Sequence, residues 1–294
     1  MDEIAPNVYI ETRYPPVTVG AVLTEAGWVC IDAPPHGREA HAWLLLLKAT
    51  SEKPVRYLIN TDYHRDRVLG NGWFGAPVAA HEVTARRMLS LNAAQTSQVD
   101  GEIRSGAGDV LRPPAGPKLV PPQISFSNSL TLFCGEREIE LVSRPSATRG
   151  SLWVILREAR VIFAGDTICR AQHPYISEGV SKLWLEALHL LRTEQYASWT
   201  LVSGREGVVK QSEIEALSAY LRAARRRIAD LHRTGGQQSE VAQLVPEFLA
   251  FFPYTEDLRD EVQRRVRVGL EAIYEELRAS GDESEVEESP VELV

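Results

Sequence analysis

Short apolar runs broken by turn residues fill most of the first two hundred positions, the pattern of strands. Val8–Ile10, Thr18–Leu23 and Trp28–Asp32 are three such runs, separated by Pro, Gly and polar residues. From Gly37 to Lys48 a stripe of Trp and Leu predicts a helix. VRYLIN at 55–60 predicts another strand, and Pro77–Ala80 begins one more. Strands resume at Leu130–Phe133, Ile139–Ser143, Leu152–Leu156 and Val161–Phe163. A helix is expected over Ser181–Arg192, burying Trp184, Leu185 and Leu188, followed by a last buried strand at Thr200–Ser203.

Beyond residue 210 the period lengthens to that of a helix. Ser212 and Glu215 have the spacing of a capping box. After them Ile214, Leu217, Leu221, Ala224, Ile228 and Leu231 share one helix face. A second helix is expected from near Thr255, turning Leu258, Val262, Val266, Leu270, Ile273 and Leu277 inward. Phe248, Phe251, Phe252 and Tyr254 lie between the two helices. They are either core or an interface through which the C-terminal helices join two copies as a homodimer. Residues 91–123 differ from both halves, with five prolines and several glycines, and read as a long loop or an insertion. The expected organisation is a strand-rich domain over 1–210, C-terminal helices over 211–280 packed on or beside it, and a terminal tail over 281–294.

Composition narrows the classes. With 294 residues, 44% of them hydrophobic and 24% charged, the chain can bury a sizeable core. No apolar run reaches the roughly 20 residues of a membrane span. The acidic start MDEIAPNVYI lacks the order of a secretion signal. Cys30, Cys134 and Cys169 are odd in number and form no CxxC, which fits buried thiols in a reducing cytoplasm, and a cytoplasmic location is expected. The net charge of −8 is unevenly placed: six acids and no base fall in the last 14 residues, so the other 280 sum to −2. The tail is expected to be disordered and solubilising, and the near-neutral body gives no electrostatic case for nucleic acid. No GxSxG, phosphate-loop or dinucleotide fingerprint occurs.

The segment after VRYLIN is TDYHRDRVLGN, residues 61–71. It resembles the T-H-x-H-x-D-H-x-x-G-N loop of the metallo-β-lactamase superfamily. Other segments carry the same resemblance in order: VGAVLTEAGWVCIDAP with Asp32, RPSATRGSLWVIL, VIFAGDTIC and SWTLVSGREG, together spanning about residues 5–210. The resemblance implies an α/β fold, a four-layer αββα sandwich with a metal site at one edge of its two sheets. It also implies a hydrolase ancestry.

The metal-ligand positions depart from that pattern. By the resemblance, Asp62 stands at the first histidine position of the loop, and His64 and Asp66 are retained. Arg67 takes the last histidine position, Ala147 a later one and Arg205 the final one, while the bridging aspartate is retained as Asp166. Alanine has no lone pair to donate, and arginine is a permanent cation without an acceptor. Two arginines carry about the charge of one divalent ion, so Arg67 and Arg205 are expected to replace the second metal by pairing with Asp66 and Asp166.

No metal is therefore expected. The alternative is one Zn, Mn or Fe ion on Asp62, His64 and Asp166. The functional expectation is a pseudoenzyme that binds a small anionic ligand or a protein partner. The alternative is a mononuclear hydrolase of an ester, thioester or phosphoester, with His64 and Asp66 as candidate catalytic groups. Arg67, Arg205, Arg149 and His173 are the candidate ligand contacts, Arg149 because it sits beside Ala147 and His173 because it closely follows the Asp166 strand. His81 is expected to be structural, and the run Arg222, Arg225, Arg226, Arg227 to be a solvated helix face.

Overall fold

Two sheets face each other and helices cover both outer faces. The computed structural model describes residues 1–91, 119–170 and 172–280. Most of the expected loop at 91–123, and the tail at 281–294, lie outside the described residues. The first sheet runs in chain order: β1 (Asp2–Ala5), β2 (Val8–Tyr14), β3 (Val17–Thr24), β4 (Gly27–Ile31), β5 (Val55–Ile59), β6 (Val78–His81) and β7 (Ile124–Phe126). The second holds β8 (Ser129–Cys134), β9 (Arg137–Ser143), β10 (Leu152–Leu156), β11 (Val161–Gly165), β12 (Thr200–Ser203) and β13 (Gly207–Val209), again as neighbours in chain order. The helices are α1 (Gly37–Thr50), α2 (Arg65–Val68), α3 (residues 82–91), α4 (Ser181–Leu191), α5 (Gln211–Arg233), α6 (Val245–Leu249) and α7 (Arg259–Ser280).

Three apolar layers hold this αββα sandwich together. Val22, Val29, Ile59, Leu141, Val154 and Phe163 interdigitate between the sheets. Trp43 and Leu47 of α1 pack on Trp28, Leu58 and Val78 of the first sheet. Full burial of one such side chain is worth about 1.5–3 kcal/mol. On the far side, Trp153, Ile162 and Leu201 meet Trp184 of α4, Leu217 and Leu221 of α5 and Val266 and Leu270 of α7. No helix of the described residues is long and apolar enough to cross a membrane.

Several sequence expectations need correction. β1, β7 and β13 carried no pattern, being only three or four residues long. The capping box of α5 is not Ser212 with Glu215: Glu213 accepts from the Lys210 N–H at 2.7 Å, while Glu215 pairs with Arg192 and Arg222. Leu258 precedes α7 in a 3-10 turn and is exposed rather than inward. Phe248 and Phe252 are core residues, the first edge-on to Tyr220 and the second stacked on it, and Phe251 lies half open beside them. The arginine run of α5 is not simply solvated. Arg225 is mostly buried and donates to both Ser181 Oγ and Glu276 Oε1.

That last contact ties α7 to the start of α4. Glu276 accepts from the backbone N–H of Ser181 at 2.7 Å and of Lys182 at 3.1 Å, and from Ser181 Oγ at 2.8 Å. A carboxylate at a helix N-terminus satisfies donors that the helix leaves unpaired and favours its dipole. Glu276→Ala is expected to cost about 2–3 kcal/mol, read as a lowered urea midpoint, because it also strands Arg225. Glu276→Gln should cost less, since the amide oxygen still caps α4.

Candidate functional site

The site forms where parallel strands end together. β4 and β5 are parallel neighbours in one sheet, and β11 and β12 in the other. Their C-terminal ends deliver Asp32, the 61–67 loop, Asp166 and Arg205 to one edge of the sandwich. The loop is braced from behind. Asn60 and Asn71 exchange side-chain hydrogen bonds at 2.8 and 3.0 Å, and Asn60 also donates to the Arg67 carbonyl. Asp32 adopts a left-handed backbone (φ 56°) that turns its carboxyl back onto Thr61, where it accepts from both the backbone N–H and Oγ1.

Arg67 is the centre of the cluster and has no exposed surface. Its Nη2 donates to Asp166 Oδ1 at 2.6 Å, and its Nη1 to Thr61 Oγ1 at 3.2 Å and Asp32 Oδ2 at 3.4 Å. Its Nε lies 3.2 Å from Asp62 Oδ1 and 3.6 Å from Asp66 Oδ1. Arg205 holds the other oxygen of Asp166 through Nε and Nη2, and reaches Asp66 Oδ2 at 2.7 Å through Nη1. His64 places Nδ1 between Asp62 Oδ2 at 3.1 Å and Asp166 Oδ2 at 3.0 Å. Gly204 is required here: a Cβ on it would fall 2.5 Å from Arg67 Nη1 and 2.9 Å from Asp166 Oδ1.

The charges set one another's protonation. Burial opposes ionisation of Asp166, yet Arg67 and Arg205 hold its carboxyl well below the ordinary range. Asp62 is lowered too, with burial outweighed by Arg67 and His64. Burial also opposes the His64 cation, but Asp62 and Asp166 push its pKa up to about 10. Asp32 goes the other way: burial raises it to about 7 against the pull of Arg67. At neutral pH the Arg67, Arg205 and His64 cations therefore face ionised Asp62 and Asp166, with Asp32 near its midpoint.

The remaining candidates lie differently. Ala147 is buried in the apolar layer under α4. Arg149 is exposed, on a loop whose Gly150 packs near Tyr63. His173 is not on the rim. It is 2% exposed, with Nε2 on the Phe252 carbonyl and its ring among Tyr220, Phe252 and Tyr254. The residue facing the site is Tyr175, two positions on, with Arg205 over its ring at 5.3 Å and Arg265 of α7 at 3.9 Å. Tyr175 and Arg265 carry no motif, and only the helix-on-sheet packing brings Arg265 there. His81 accepts from the Val83 N–H through Nδ1 and bonds the Ser127 carbonyl, a structural role. The Cys169 thiol is raised by burial.

A family model for the metallo-beta-lactamase superfamily matches residues 14–205. The chain belongs to this superfamily. Among solved structures, it is similar to a metallo-beta-lactamase family protein from Thermus thermophilus, at 19% identity and a TM-score of 0.66, over 95% of each chain. A beta-lactamase domain protein from Burkholderia ambifaria matches at 16% identity and a TM-score of 0.65, over 96% of this chain and 88% of that one. A metallo-beta-lactamase from Pontibacter korlensis matches at 21% identity and a TM-score of 0.59, over 75% of this chain and 97% of that one. These likenesses establish a shared fold.

Superfamily membership implies metal, and the side chains present test that implication. A coordinated ion needs lone pairs, which Arg67, Arg205 and Ala147 lack. Both Asp166 oxygens already accept from guanidinium groups. A two-metal centre does not fit these residues. What remains is a three-donor group: Asp62, His64 and Asp166 each bring one candidate atom within 4.8 Å of the others.

Proposed function

We propose that this metallo-beta-lactamase-superfamily protein is a metal-independent pseudoenzyme in which an ion-pair network takes the place of the metal centre. It serves as a binding protein for a small anionic ligand or a protein partner. The observation that carries this reading is Arg67, a fully buried guanidinium ringed by Asp32, Asp62, Asp66 and Asp166. A cation there answers the electrostatic need a metal would answer, without offering Lewis acidity or an activated water. Arg67 is committed to carboxylates and Thr61, so ligand recognition falls to groups nearer the surface: the exposed Arg149, the partly open ring of His64, and Tyr175.

A second reading has one observation in its favour, the Asp62, His64 and Asp166 grouping. One ion held there would supply Lewis acidity to a hydrolase of an ester, thioester or phosphoester. The ion would compete with the Arg67 and Arg205 contacts and with the proton on His64.

Elemental mass spectrometry on protein purified without chelator or metal-affinity tag separates the two. A metal content near zero per chain, unchanged after incubation with Zn, Mn or Fe, is the expected result. One tightly held ion per chain, lost in His64→Ala, would replace the first reading with the second.

A further inference from the structure

Four strands end the two sheets, and three of them are blunted. β1 is four residues long, carries Asp2 and Glu3, and pairs with β2 through a bulge. β7 and β13 have three residues each. Short, charged or bulged edges resist adding a further strand. β8 has none of these protections. Its six residues, SLTLFC, contain no charge and no proline, and all six pair with β9 in unbroken register. Among the described residues, its other side meets no strand. On its outer face Ser129, Thr131 and Phe133 are exposed, and Phe133, at 71%, is the most exposed large hydrophobic described.

We propose that β8 pairs with the β8 of a second copy of this chain, antiparallel about a two-fold axis, joining two six-stranded sheets into one of twelve. The strand's own chemistry favours a second copy. An axis through Thr131 or Leu132 keeps outer-face residues opposite outer-face residues. Phe133 then stands across from the partner's Ser129 or the partner's Thr131, short side chains that leave the ring room. No like charges meet along the seam, because β8 has none. The charged Glu136 of the Gly135–Glu136 turn of each copy falls beyond the partner's Ser129, past the end of the paired strand. Leu130 and Leu132, which face the layer between the sheets, extend that layer across the axis. The contact is one strand wide, at the low end of specific interface sizes, so the dimer is weak.

Sedimentation velocity on the full chain across ~1–200 μM tests this. A monomer–dimer equilibrium is expected, weakened at least tenfold by Phe133→Lys and by Thr131→Lys. Both positions are exposed, so both variants should keep the parent circular dichroism and melting temperature. Backbone amides of β8 should gain hydrogen-exchange protection as concentration rises. A chain monomeric throughout the range overturns the proposal. So does a dimer indifferent to both lysines, or β8 amides already protected in the monomer by another part of the same chain.

Discussion

Arg67→Ala is expected to destabilise the protein by about 3–5 kcal/mol, among the largest effects a single substitution outside the apolar core can have. Arg67 contacts four carboxyl groups and is wholly buried. Without it Asp62 and Asp166 stay in the interior with only His64 and Arg205 as counter-ions, and their ionisation becomes costly. Urea unfolding at neutral pH reads the loss directly. The control is Arg67→Met combined with Asp62→Asn and Asp166→Asn, which removes the stranded charges along with the cation. It should recover a good part of the lost stability. If Arg67→Ala alone costs less than about 1 kcal/mol, the guanidinium is not the keystone of the cluster.

The second large effect is on pH dependence. His64 has a folded pKa of about 10, against roughly 6.5 when unfolded. Its contribution is therefore fully present below about pH 6.5 and is lost as pH rises through 10. The upper bound is about 5 kcal/mol, from 1.36 kcal/mol per unit. Asp62 and Asp166 have depressed folded values, so they stabilise above the ordinary carboxylate range and lose that contribution as pH falls through their folded pKa. Asp32, raised to about 7, contributes fully below about pH 4, its unfolded range, and loses that contribution progressively as pH rises to 7. Together these place maximum stability near pH 4–5, just above the ordinary carboxylate range, with a decline towards pH 10. Urea midpoints measured from pH 3 to 10.5 would trace the curve. The His64→Gln variant should flatten the alkaline limb relative to the parent; identical limbs would show that His64 is not the charged group in question.

The sandwich was legible because its central strands are buried on both faces. GWVCI and LWVIL read as continuous apolar runs, and β4, β10 and β11 are buried at every position. The edge strands were silent: three residues such as Gly207–Val209 cannot show a period. At the site, the spacing of the 61–71 loop named Asp62, His64, Asp66 and Arg67, and the later segments named Asp166 and Arg205. Which acid each arginine takes was not legible, since that depends on where the strands end in space. Asp32 was noticed as part of an opening segment, yet its hold on Thr61 and Arg67 depends on one left-handed residue. Nearness in sequence to the Asp166 strand is what points to His173. In an irregular segment nearness does not say which side chain turns inward, and His173 faces the aromatic core while Tyr175 faces the site.

Gly204 and Ala147 limit what single substitutions can do to this site. Any side chain at 204 would collide with Arg67 and Asp166, so the present packing is committed to the guanidinium. Exchanging Arg67 or Arg205 for histidine, one at a time, removes a permanent cation from a buried acidic cluster. Ala147 still contributes no donor, and its methyl lies in an apolar layer. Each such single exchange is therefore expected to lower stability, and concerted substitution is the route to a variant designed to hold two ions. The arginines thus act as a mutational latch: exchanging one alone strands the acids around it, whereas exchanging arginine and acids together does not.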